Sequence, residues 1–68
     1  MKDSIYRIVV DTWRLAVKYE FRKMGNSEWE GFVSESQKLA VRYRAEGEAV
    51  ERLCRDLLDA FQQLYEQL

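Results

Sequence analysis

The sequence predicts an all-α protein, an antiparallel three-helix bundle in one domain spanning residues 1–68, and three observations carry that prediction. Apolar residues recur at spacings of three and four along nearly the whole chain. Proline is absent and Gly25 and Gly47 divide the chain into three segments of similar length. Finally, 47% of the residues are hydrophobic and 13% aromatic, enough for a real core, although a chain this short buries only about 60% of the surface its unfolded form exposes.

The first helix is expected over residues 4–24. Arg7, Asp11, Arg14, Lys18 and Arg22 draw one polar stripe along it, and most of what lies between is apolar. At ~100° per residue the apolar arc covers about 200° or more, wider than a helix with a single neighbour needs. Ser4 or Asp3 caps its start, and Gly25 stands where a left-handed residue would end it.

The second helix is expected over 28–45. Ser27-x-x-Glu30 reads as a capping box. The stripe that follows runs Trp29, Phe32, Val33, Ser36, Leu39, Ala40 and Tyr43, whose small members allow close approach of a neighbour. The short Gly25-Asn26-Ser27 connection makes the first two helices antiparallel neighbours.

The third helix, 48–68, carries the strongest stripe: Val50, Leu53, Cys54, Leu57, Leu58, Phe61, Leu64, Tyr65 and Leu68. Opposite charges four apart, Glu48/Arg52, Glu51/Arg55 and Arg55/Asp59, suit its outer face. The apolar register runs unbroken through Gly47, so the competing arrangement is a helical hairpin with one long second helix, 28–68, held in an oligomer. A helix of that length would extend about 60 Å. Glycine inside a helix costs about 1 kcal/mol relative to alanine, which favours a break at Gly47.

Composition narrows the chemistry. With no His and one Cys, the chain has no intrachain disulfide and no zinc ligand set, and the commonest general base is missing. Cys54 lies on an apolar stripe as a small hydrophobe. Glu20, the one carboxylate within the apolar arc of the first helix, sits near its end where water reaches it. No cofactor, metal or small-molecule ligand is implied, and enzymatic activity is not expected. Uninterrupted aliphatic runs stop at three residues and no apolar signal region follows the start, so neither membrane insertion nor secretion is expected and the cytoplasm is the default.

The net charge of −1 averages opposed segments: residues 1–25 carry net +3, residues 26–45 net zero and residues 46–68 net −4. Arg7, Arg14, Lys18 and Arg22, with Lys23 beside them, form a candidate basic face on the first helix, extended by Lys38, Arg42 and Arg44. That face offers one reading, a DNA-associated accessory protein, although an acidic third helix argues against phosphate binding. The better-supported reading is a non-enzymatic module that self-associates, as a dimer, or binds a protein partner. Val10, Val17 and Phe21 on one flank of the first helix, Leu15 on the other, and Val41 on the second helix are the candidate interface. Trp13 and Trp29 are expected as core anchors.

Asp11-Thr12-Trp13 in the first helix, Ser27-x-Trp29-Glu30 opening the second, and Tyr43 and Gly47-Glu48 ahead of Leu53-x-x-x-Leu57-Leu58 form a pattern of aromatics and turns. It resembles short helical proteins of unknown function encoded on bacterial prophages and conjugative elements. The resemblance covers most of the chain and implies a three-helix arrangement in a bacterial cytoplasm, but no activity and no site.

Overall fold

Helix α1 runs from Lys2 to Lys18, α2 from Asn26 to Tyr43 and α3 from Glu48 to Glu66, with a single 3₁₀ turn, Arg44–Glu46, leading into α3. The computed structural model describes residues 2–68. Both α1 and α2 pack on α3 and on each other. Ser4 and Arg7 meet Glu46 just ahead of α3, while Ala16 near the end of α1 meets Tyr65 near the end of α3. Thus α1 and α3 are parallel, with α2 running against both.

The first helix ends at Lys18, not at residue 24, and the reason is not a glycine. Glu20 and Phe21 both adopt left-handed backbone, with φ of 63° and 50°, at a cost of roughly 1–2 kcal/mol each for residues with a Cβ. Tyr65 offsets that cost. Its hydroxyl donates to the Ala16 carbonyl and accepts the Phe21 N–H at 3.0 Å. Phe21 then stacks on the Tyr65 ring at 5.7 Å and 7° and meets Trp13 at 5.7 Å with the rings tilted by 38°, contacts worth about 0.5–1.5 kcal/mol per pair.

Gly25 is extended (φ −73°, ψ 172°) and caps the start of α2. Of the capping box expected between Ser27 and Glu30, only the reach-back half forms, and two residues earlier, where the Gly25 N–H donates to Glu28 Oε1 at 3.2 Å. Arg22 bonds the same carboxylate, with its closest contact at 2.7 Å, and together with that N–H lowers its pKa from the ordinary carboxylate value. The early stop of α1 leaves a seven-residue connection, so this carboxylate and its two donors, not a tight turn, fix where α2 begins.

The break at Gly47 is present. Its φ of 118° and ψ of 156° are open to glycine and strained for any residue with a side chain. The 3₁₀ turn before it ends α2 at Tyr43, slightly short of the expected residue 45. The molecule measures 35 × 17 × 16 Å, which excludes a long second helix of about 60 Å. Of the ion pairs expected along α3, Glu51–Arg55 forms at 2.9 Å. Arg44 shares that carboxylate at 3.2 Å. Arg55 is thereby drawn toward the N-terminus of α3, and among the described residues it makes no pair with Asp59, nor does Glu48 with Arg52.

Phe32, fully buried on α2, sits at the centre of the core between the rings of Tyr19 (5.4 Å), Tyr65 (5.3 Å) and Trp29 (6.1 Å). Ile8, Leu39, Tyr43, Val50, Cys54 and Leu58 complete the interior. Ser36 and Ala40 are buried, as close helix approach requires, and the Ser36 hydroxyl is satisfied by the Phe32 carbonyl at 2.8 Å.

Candidate protein-interaction face

The first helix buries the smaller part of its apolar surface. Its inward stripe is Ser4, Ile8, Thr12, Leu15 and Ala16, which contains only two large aliphatic side chains. Ile5, Tyr6, Val9, Trp13 and Val17 remain 41%, 70%, 51%, 55% and 40% exposed. At about 100° per residue, the line through Tyr6, Val9, Trp13 and Val17 lies roughly opposite the line through Ser4, Ile8 and Leu15. The helix therefore has one apolar face turned to the core and a second, larger one turned outward.

The three grooves between the helices differ in character. Asp11 and Leu15 of α1 meet Glu35, Lys38, Leu39 and Arg42 of α2 in a charged groove. Ser36, Gln37 and Ala40 of α2 meet Arg55, Leu58, Asp59 and Gln62 of α3 in another polar one. These contacts fix which flank of each helix faces α2, and hence which flanks border the third groove. There α1 contributes Ile5, Val9 and Trp13, and α3 contributes the half-buried Leu53, Leu57 and Phe61 and the exposed Leu64. Both lips of the α1/α3 groove are apolar.

The structure places the expected interface residues on different surfaces. Val17 lies on the outward face and Val10 is half-buried beside it. Phe21 is half-buried between Trp13 and Tyr65. Leu15 belongs to the core at 9% exposure, because its position on the helix falls with Ile8 and not with Val17. Val41, half exposed, lies on the far side of α2 among Ser34, Gln37 and Lys38, apart from the rest. The exposed apolar residues of α1 that the sequence did not single out for this face are Ile5, Tyr6, Val9 and Trp13. Trp13 is not a core anchor: the inward stripe takes the small Thr12, whose hydroxyl bonds the Ile8 carbonyl at 2.8 Å, and turns the indole outward. Trp29 is half-buried and stacks on Phe32. Helical-wheel arithmetic alone could have separated the two apolar lines on α1; it could not say which of them faced inward.

The basic residues of α1 are largely used within the chain. Arg7 pairs with Glu46 at 2.6 Å, Lys18 with Glu35 at 2.6 Å and Arg22 with Glu28. Hydrogen bonding to Glu35 raises the Lys18 ammonium above its ordinary value. Arg14 is exposed and, among the described residues, joins no ion pair.

Two groups considered for chemistry are placed unambiguously. Glu20 lies in the left-handed turn, exposed, 3.7 Å from Arg22. Cys54 is fully buried and burial pushes its thiol up, away from the reactive thiolate. Tyr43 is also buried, donating to Asp11 at 2.6 Å; burial and then that carboxylate push its ionisation up to about 12. This bond ties α2 to α1, with Tyr43 only 4% exposed. Among the described residues no helix is long and apolar enough to cross a membrane. No protein-family model matches the chain, and no curated protein or solved structure is significantly similar to it.

Proposed function

We propose that this protein is a non-enzymatic helical module that acts by docking the α1/α3 face onto another protein surface. A single observation carries the reading: α1 buries two large aliphatic side chains and exposes five large apolar ones, four of them in a line on its opposite side. Exposed apolar surface of this continuity marks an interaction site. It also combines aromatic and aliphatic groups as the centres of protein interfaces do. The rest of the molecule supports the same role, since its buried polar groups are bonded within or between helices and its only thiol is packed away. A reduced, buried cysteine suits the cytoplasm as the place of action.

In-cell photocrosslinking tests this. A photoreactive side chain at Val9 is expected to give discrete protein adducts, while the same group at Gln37, in the polar α2/α3 groove, gives none. Equal labelling at both positions, or none at Val9, would overturn the reading.

A further inference from the structure

We infer that the α1/α3 face closes on a second copy of this chain, in a two-fold dimer that lays α1 of each subunit along α3 of the other. The inference rests on the docking reading above and names the occupant.

Size comes first. The face is as long as α1, 17 residues or about 25 Å. It is two helices wide, about 20 Å at ordinary helix spacing. A surface of those dimensions offers roughly 500 Å² per partner, about 1,000 Å² in all, the size at which a specific interface becomes possible. The chain exposes 4919 Å² in all, where a compact monomer of this mass exposes about 4,500 Å². A domain this small, with no disulfide to staple it, gains most from association.

Charge selects the partner and its orientation. The outer rim of the face on α1 carries Arg14, and the outer rim on α3 carries Asp56; both are exposed and neither joins an intrachain ion pair among the described residues. The segments behind them are net +3 and net −4. A partner must therefore offer an apolar stripe edged with acid opposite α1 and with base opposite α3. This chain's own face supplies both. A two-fold axis parallel to the helices places α1 over the partner's α3 and brings each basic rim to an acidic one. An axis across the helices would place α1 on α1 and α3 on α3, with like charges opposed.

Sedimentation equilibrium of the 68-residue chain at 2–200 µM in low salt tests the inference. The expected mass is twice the 8.2 kDa of the chain. Val9→Asp is expected to weaken the dimer at least 100-fold while helicity by circular dichroism is kept. Arg14→Asp and Asp56→Arg are each expected to weaken it about five- to tenfold, and the double variant to restore it. A monomer up to 200 µM, or a dimer indifferent to Val9→Asp, would overturn the inference; a double variant weaker than either single one would overturn the α1-over-α3 arrangement. A monomeric mass alongside adducts to a different protein at Val9 would sink the second-copy inference and leave the docking reading standing. A monomeric mass without adducts would remove both.

Discussion

Removing one oxygen atom from Tyr65 is expected to loosen the α1 end of the connection between α1 and α2. The Tyr65 hydroxyl is the shared partner of the Ala16 carbonyl and the Phe21 N–H. Tyr65→Phe keeps the ring, and with it the stacks on Phe21 and the contact with Phe32. Two hydrogen bonds are lost at about 1 kcal/mol each, and a donor and an acceptor beside the core are left without a partner, so the total is about 2–3 kcal/mol. Against a whole-domain stability of roughly 3–10 kcal/mol for this length, that is a large fraction. At 4–8 °C per kcal/mol, the melting temperature falls by about 10–20 °C. Thermal and urea unfolding followed by circular dichroism measure the loss, and amide exchange at Phe21 reports whether it is local. Tyr6→Phe, at a 70% exposed position, should change nothing in a dilute sample. A loss below about 0.5 kcal/mol for Tyr65→Phe would refute the idea that its hydroxyl holds the left-handed turn.

Three further outcomes follow from the same coordinates. Ile8→Ala empties a fully buried site and should cost about 2–4 kcal/mol, whereas Val9→Ser, one residue on, should cost under about 0.5 kcal/mol at concentrations where the chain is monomeric; urea midpoints compare the two. Glu20→Gly relieves a positive φ of 63° and should raise stability by about 0.5–1 kcal/mol despite glycine's greater freedom when unfolded. The raised ionisation of Tyr43 favours its protonated form in the folded state, so its contribution is complete below pH 10 and is lost as pH rises from 10 through about 12. A two-unit shift corresponds to something on the order of 2 kcal/mol, and urea unfolding at pH 9 and pH 11.5 should show a drop that Tyr43→Phe diminishes.

Much of this fold was legible because helix periodicity and glycine punctuation act locally. Gly47 broke the chain where an interior glycine is costly and where a conformation of φ 118° is open to it. The end of α1 was illegible because its cause is remote: Tyr65, 49 positions beyond Ala16, supplies the hydroxyl that makes two left-handed residues tolerable. The cap of α2 was displaced for the same reason, since a helix that stops at Lys18 leaves Gly25 free to be extended. The excess apolar width of α1 was visible in sequence, but not which part of it faces inward. An apolar arc of about 200° or more has no mark on it saying which edge meets the core. Pattern alone favoured Trp13 inside; packing placed Thr12 and Ala16 there, because small side chains let α1 approach its neighbours closely. Charge was legible in sum and not in use, for most cations of the basic face are committed to Glu46, Glu35 and Glu28.

What covers the outward face of α1 is decisive, and Trp13 sits in the middle of that face. In a Trp29→Phe variant Trp13 is the sole indole, so its emission wavelength can be followed from 100 µM down to 0.1 µM protein. The structure predicts red-shifted emission at the lowest concentration, matching 55% exposure, and a progressive blue shift as the concentration rises and the face is covered. Emission that stays red throughout would contradict closure of the face by a second copy, and emission that is blue even at 0.1 µM would contradict the outward placement of Trp13 itself.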